Sequence, residues 1–303
     1  MNKWDTSYPF FHGRLYPLKK TIFAGNNSGY MLSRKTVIDS NRAGSHVSIR
    51  ELYRYRDLFI TLAYRDFKVR YAQTFLGFLW AILQPLVTLL IFIVVFQRAI
   101  KIETGNIPYP VYVLAGMTIW SYFSFVMVQA GQSIISAQQM VQKIFFPRLV
   151  IPVSKAVVGL VDFLISLMLL FLAMWYYHYI PAAHAVFIPL VVVLLIMFSL
   201  GIGIWLSALT VRFRDFQHII PFVVQIGLYA TPVAYPSSVI PEKYHLIYYL
   251  NPVTGIVDIF RWSLLGTEMN RFYVCISMSV AVLILLTSFW YFRKTERVMA
   301  DIV

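Results

Sequence analysis

The chain has 303 residues, of which 59% are hydrophobic, 17% aromatic and 13% charged, with a net charge of +13 and a mean hydropathy of +0.68. These values exclude a water-soluble globular domain and describe an integral membrane protein. The basic charge flanks apolar segments, which assigns it to membrane orientation and speaks against nucleic acid as a partner, and the single cysteine, Cys275, excludes an intrachain disulfide and a cysteine-built metal site.

Residues 1–50 are polar, contain the Gly25 to Gly29 stretch GNNSG, and lack the apolar core of a secretory signal. They read as a cytoplasmic extension. Residues 51–77 have helical spacing: Leu52, Tyr55, Phe59, Leu62 and Ala63 share one face, and Arg54, Asp57, Thr61, Arg65 and Lys68 share the other. Such a helix lies along a membrane surface, and Gly77 lets the chain turn into the first span. The plain alternative is a loosely ordered basic flank that only obeys the orientation rule.

A helix needs roughly 20 apolar residues to cross a bilayer. Six candidates follow, at about 79–97, 110–131, 150–176, 184–210, 217–234 and 272–292. The third carries Asp162, and the fifth is short and interrupted by Pro221. Between the fifth and sixth, residues 231–266 return to apolar character without a full span. They read as two short re-entrant helices in the outer leaflet, because irregular backbone at that depth survives only inside protein or beside a wet cavity. The expected fold is therefore an all-α membrane protein, with a six-span domain over 78–295 and a tail over 296–303.

Of the 26 Lys and Arg, 21 fall on one side of these spans, against Arg98, Lys101, Lys243, Arg261 and Arg271 on the other. Both termini are expected in the cytoplasm.

No GxxxxGK[S/T] loop occurs, so the chain does not hydrolyse nucleotide by that route. The six histidines have no metal-ligand spacing, and no metal site or catalytic residue is expected. Asp162 sits inside a span, where it costs roughly 3 kcal/mol unless partnered. A structural hydrogen bond explains it more simply than a proton relay. Asp258 and Arg261, three residues apart on one helix face, are expected to pair locally.

Five segments, RDFKVRYAQTFLGFLWAILQPL (65–86), QKIFFPRLVIPV (142–153), VRFRDFQHII (211–220), TPVAYPSSVIP (231–241) and LNPVTGIVDIFRWSLLG (250–266), together resemble the permease subunits of type-2 ABC exporters in the branch that moves polysaccharides. The resemblance covers about 50–295; the first 50 residues extend beyond the family pattern. It implies a homodimer in a bacterial inner membrane that exports a lipid-linked polysaccharide, O-antigen first among them, with ATP and Mg bound on a separate ATPase subunit. It implies a coupling helix over Ser133 to Phe146, closed by Pro147 and Arg148, in which Ile144, Phe145 and Phe146 are apolar anchors and Lys143 and Arg148 polar ones. Arg54, Arg65 and Lys68 would touch the ATPase or lipid phosphate. Phe75, Phe78, Trp80, Gln84, Tyr229 and Tyr235 would line a path between the two copies, and the pair over 231–266 would gate it outside. Two other readings stay open: a type-2 exporter of a small drug or ion, and a membrane-embedded glycosyltransferase. The second should show acidic pairs at a membrane face, and the sequence offers only isolated acids.

Overall fold

The computed structural model describes residues 55–71, 77–144, 146–296 and 299. Every regular element among them is helical. Helix α1, Arg56–Tyr71, is followed by α2, Leu79–Phe92, whose winding widens to π-helical over Ile93–Ala99. Pro85 lies inside α2, where it removes one backbone hydrogen bond. After a turn in which Lys101 and Gly105 take positive φ, α3 runs over Tyr109–Gly131. Pro110 stands in its first turn, where a missing N–H leaves nothing unpaired. Two short helices follow, α4 (Ser133–Ser136) and α5 (Gln138–Lys143), and then the long α6, Val150–Tyr176. Helix α7, Ile188–Arg212, is entered through a 3-10 turn, and α8 covers Phe216–Ala230. Beyond the one-turn α9 (His245–Tyr248) come α10, Pro252–Leu265, and α11, Arg271–Glu296.

Among the described residues five stretches are long and apolar enough to cross a membrane: Leu79–Ala99, Tyr109–Gly131, Val150–Tyr176, Ala183–Arg212 and Arg271–Glu296. The expected fifth span, 217–234, differs. Its helix α8 has 15 residues, about 22 Å at 1.5 Å per residue, against a hydrocarbon core of roughly 30 Å. The helix stops at Ala230, and Thr231 to Ala234 continue as buried non-helical backbone.

Helix α3 is the hub, packed on α6 and α7 and also touched by α2, α8 and α10. Small residues permit these approaches. A Cβ on Gly203 of α7 would lie 2.7 Å from the Ala130 Cβ of α3, and one on Gly227 of α8 would lie 2.7 Å from the Trp120 ring. Phe123 of α3 stacks on Phe198 of α7 with centroids 5.3 Å apart. Helix α11 packs on α7 and α10, and α1 packs on α6.

Helix α10 has complete caps. The Asn251 side chain accepts the Val253 N–H at 3.1 Å, and Gly266 closes the helix at φ 68, a conformation that glycine adopts without a Cβ penalty. Its terminal carbonyls are met by the Ala182 N–H, donating to Leu264 at 2.9 Å, and by the Tyr179 hydroxyl, donating to Leu265 at 2.7 Å. A 14-residue helix buried on most of its faces can keep its ends away from water only with such partners.

Candidate functional site

Where α3 ends and α6 begins, the family resemblance implies one coupling helix over Ser133 to Phe146. The structure divides it: Ala137 leaves the helical region at φ −103, ψ 17, and Ile144 is extended, so α5 stops at Lys143. Lys143 and Ile144 are exposed. Phe146 is not an outward anchor. It is buried in a cluster with Ile134, Val141, Leu149, Ile204, Val211 and Phe292, on the side of α7 and α11, beyond the point where the chain turns extended at Ile144. Phe145 lies outside the described residues. Pro147 stands half-buried and its carbonyl accepts the Val150 N–H at 3.1 Å, opening α6.

Arg148 is tied to the far end of the chain. Its N–H donates to Glu296 Oε1 at 3.2 Å and its Nη1 donates to the Glu296 carbonyl at 2.5 Å. The start of the loop, just past α3, is bound to the first turn of α8 by the Gln132 amide, which donates to the Gln217 carbonyl at 3.0 Å. Between the two loops lies a cleft of about 340 Å³ lined by Ile135, Gln138, Val211, Arg214, Asp215, Gln217 and His218. A ridge with an exposed cation and an exposed isoleucine beside a polar cleft suits docking of a partner.

In helix α1 the residues expected inward turn inward, but Ile60, Tyr64 and Val69 are exposed among the polar residues of the outer side, so that side is mixed rather than polar. Tyr55, Leu58, Phe59, Leu62 and Ala63 are turned inward or half-buried, whereas Asp57, Thr61, Arg65 and Lys68 are exposed. Leu52 and Arg54 fall outside the described residues. The inward face also carries Asp66, which joins Arg65 (2.9 Å) to Lys155 of α6 (2.7 Å). Arg65 is thus half committed within the chain, and Lys68 points outward.

One turn along, Asp162 finds its partners: Arg70 Nη2 at 2.6 Å and the Tyr71 hydroxyl, which donates to Oδ1. Arg70 also lies over the Phe125 ring of α3 at 4.4 Å. Burial, with the hydrogen bond to Asp162 adding to it, pushes the Tyr71 phenol up to about 12. The acid inside the span is therefore paired with the Arg70 cation and hydrogen-bonded by the Tyr71 hydroxyl, both from α1. Its sequence signal was legible, since a carboxylate at that depth demands a partner; which helix supplies it was not.

Of the residues expected along a path, Phe75 falls outside the described residues. Phe78, Trp80 and Gln84 of α2 are exposed, as is Tyr229 of α8, while Tyr235 is half-buried. Phe78 meets Tyr71 with ring centroids 5.8 Å apart. Tyr235 donates to the Tyr229 carbonyl at 2.8 Å and accepts from the Tyr248 hydroxyl at 3.3 Å. Tyr248 thus joins this group through a contact that its sequence position does not announce. Among the described residues no hydrogen bond or ring contact joins the α2 set to the α8 set.

The expected Asp258–Arg261 pair does not form. Asp258 accepts the Tyr249 hydroxyl at 2.5 Å. Arg261 is 1% exposed and spends its guanidinium on the break after α8. Nη1 donates to the Pro232 carbonyl at 2.5 Å and the Tyr112 hydroxyl at 3.0 Å; Nη2 donates to the Val233 carbonyl at 2.7 Å and the Tyr112 carbonyl at 3.2 Å. The Tyr109 hydroxyl holds the Ala234 carbonyl at 2.9 Å, and the Asn251 amide holds Thr231 Oγ1 at 2.9 Å. Carbonyls freed where a helix stops inside an apolar bundle require donors, and the five-donor fork of arginine reaches several at once. Gly116 of α3 makes room for this arrangement, since a Cβ there would lie 2.6 Å from Arg261 Nη2 and 2.8 Å from the Val233 oxygen.

No group of three His, Cys, Asp or Glu that could hold a metal ion occurs among the described residues. His184 stacks on Trp262 with ring centroids 4.6 Å apart.

Residues 57–265 match the ABC-2 type transporter family. The chain is 34% identical over 215 residues to an O-antigen export system permease protein of Myxococcus xanthus, covering 70% of this chain and 82% of that protein. It is 27% identical over 248 residues to an O-antigen export system permease protein of Klebsiella pneumoniae, covering 82% of this chain and 95% of that one. A polysialic acid transport protein of Escherichia coli is 26% identical over 202 residues, 65% of this chain and 77% of its own length.

Proposed function

Because the chain belongs to the ABC-2 type transporter family, we propose that it is the permease subunit of an ATP-driven exporter of lipid-linked polysaccharide, O-antigen first, in a bacterial inner membrane. The observation that carries this reading is the extent of the similarity to an O-antigen permease: it covers 82% of the chain and so runs through the bundle as a whole.

In this reading both termini, α1 and the α4–α5 loop face the cytoplasm. The ATPase subunit, which binds ATP and Mg, docks on Lys143, Ile144 and the cleft beside Arg214 and His218, and Arg54, Arg65 and Lys68 meet it or lipid phosphate. Phe145 is an apolar anchor for the ATPase. Phe146, by contrast, stiffens the loop from within, and Arg148 carries displacement of the loop to α11 through Glu296. A second copy covers the open face of α2. The path runs between the copies, lined by Phe75, Phe78, Trp80, Gln84, Tyr229 and Tyr235, where aromatic faces let sugar rings slide without every hydroxyl being stripped of water. Helix α8 and the buried turn after it make the sixth crossing, and the turn with α10 forms the outer re-entrant gate that Arg261 holds together.

The test is co-expression with the cognate ATPase, followed by copurification in mild detergent and ATP-dependent translocation of lipid-linked glycan in proteoliposomes. Both subunits should elute together, and transport should stop with a hydrolysis-deficient ATPase. Transport by the purified chain without any ATPase would sink the proposal.

A further inference from the structure

From Phe163 to Val211 the chain contains no Asp, Glu, Lys or Arg, and this run holds the whole connection between α6 and α7. The other connections at that end of the bundle are charged: residues 98–105 carry Arg98, Lys101 and Glu103, residues 242–244 carry Glu242 and Lys243, and residues 268–271 carry Glu268 and Arg271. The uncharged connection is also apolar and turned outward, with Trp175 77% exposed, Tyr176 72%, Ile180 84% and Val186 75%. Its depth follows from helix geometry. Lys155 of α6, paired with Asp66 of α1, is separated from Trp175 by about 30 Å of helix at 1.5 Å per residue, the thickness of the hydrocarbon core. The same length of α7 separates Arg212 from Val192. Trp175, Tyr176 and Val186 therefore stand at the headgroup boundary, the level at which Trp and Tyr collect. The inward side of the connection is fixed to the C-terminal end of α10. The Ala182 N–H and the Tyr179 hydroxyl meet its last carbonyls, and the Trp262 ring lies 4.6 Å from that of His184 and 5.7 Å from that of Phe187, centroid to centroid.

We propose that the connection over residues 176–187 is an anchor embedded in the lipid leaflet opposite the α4–α5 loop. Ile180, Val186 and Phe187 sit in the headgroup and upper acyl layer, and the backbone behind them holds the end of α10 at a fixed depth. The faces that run into the anchor select lipid over a second copy of the chain. On α6 the outward residues leading to Trp175 include Leu164, Met168 and Phe171, and on α7 those leading from Phe187 include Leu190, Val193 and Met197. All are bulky and apolar, whereas helix contacts inside a membrane favour small and hydrogen-bonding residues. The open face of α2, by contrast, presents Gln84. A sugar polymer is disfavoured, because Ile180 and Val186 offer its hydroxyls no partner and the candidate path residues belong to α2 and the α8 region. With no charge to satisfy, the anchor needs no anionic headgroup, and a zwitterionic lipid suffices. The proposal does not rest on the export reading, since neither ATPase nor glycan takes part.

The full chain carrying Cys275→Ser and a nitroxide on Ile180→Cys is reconstituted in phosphatidylcholine nanodiscs. Relaxation of the label by oxygen and by a water-soluble nickel chelate is read by electron paramagnetic resonance. The label should lie roughly 5–10 Å below the headgroup surface, as helices seated in the interface do, whereas a label on Glu103→Cys in the charged connection should lie in water. Brominated phosphatidylcholine should quench the fluorescence difference between wild type and Trp175→Phe. Nickel access at Ile180→Cys equal to that at Glu103→Cys would put the connection in water, open to glycan, and overturn the proposal. Exclusion of both relaxing agents, or an absence of Trp175 quenching, would mean that a second copy covers the face, and overturns it equally. Anchoring of α10 has its own readout. Hydrogen exchange over residues 260–266 should quicken roughly tenfold in Ile180→Asp/Val186→Asp, because two side chains lose their burial in lipid and local opening becomes easier. An unchanged rate in that variant with native circular dichroism overturns the anchor, and the label and quenching measurements decide the matter even where the double variant does not fold.

Discussion

Helices α2 and α3 are neighbouring apolar spans with opposite surroundings. In α3, 72% of the most apolar window is buried inside the chain; in α2 only 11% is, although α2 is the more apolar of the two. Helix α3 carries Gly116, Thr118, Ser121, Ser124 and Gly131, small or hydroxyl-bearing residues that let neighbours approach and that bond their own turns, as the Thr118 hydroxyl does to the Leu114 carbonyl at 2.8 Å. Helix α2 presents Leu83, Leu86, Leu90, Ile91 and Val94 outward, a surface of aliphatic bulk. In a bilayer, hydrophobicity marks contact with lipid or with another subunit, and burial inside the chain goes with smallness and polarity. A soluble protein reverses that ordering.

The largest expected effect breaks the α3 side. Arg261→Met leaves the carbonyls of Tyr112, Pro232 and Val233 without donors, and at about 1–3 kcal/mol for each unsatisfied group the loss should reach about 3 kcal/mol or more. Thermal unfolding in detergent measures it, with Arg261→Lys falling between the two; an unshifted melting temperature would refute the clamp. Next comes Gly116→Ala, whose Cβ would meet Arg261 Nη2 and the Val233 oxygen. Overpacking of this kind costs about 1–3 kcal/mol, and Gly116→Ala combined with Arg261→Met should cost less than the sum of the two, which a double-mutant cycle reads directly.

A smaller effect belongs to the α1 attachment. Arg70 is 38% exposed at its side chain, so solvent screening limits its coupling to Asp162 to about 1 kcal/mol. Zero coupling in the Arg70→Ala/Asp162→Ala cycle would leave the Tyr71 hydroxyl to carry the attachment of Asp162. The smallest effect on fold stability is expected on α2. Leu90→Ala with Ile91→Ala should move monomer unfolding by no more than about 0.5 kcal/mol each, as for exposed positions, yet should weaken self-association in lipid as followed by cross-linking. Unaltered dimerisation would show that this face meets lipid alone.

Much of this was readable in advance. Long apolar runs located five spans, because helix length and bilayer thickness are both fixed by simple geometry. The period of Tyr55, Phe59, Leu62 and Ala63 marked the inward side of α1, and the cost of an acid inside a span required a partner for Asp162. Three things were not readable. The buried position of Phe146 rests on its cluster with Ile204, Val211 and Phe292, far along the chain. The division of the coupling loop into α4 and α5 depends on one residue, Ala137. The partners of Arg261 lie 28, 29 and 149 residues away, and the short local spacing to Asp258 pointed to the wrong one.

The amino-acid order by itself determined that this chain lives in a membrane, that it is helical, and where its long helices lie, since hydropathy and period act over windows of one helix. Tertiary structure alone decided which apolar helix is buried, where α8 stops, and which donors meet the carbonyls it abandons. Those outcomes turn on hydrogen-bond acceptors and close approaches between segments far apart in the chain, and no local window contains both partners.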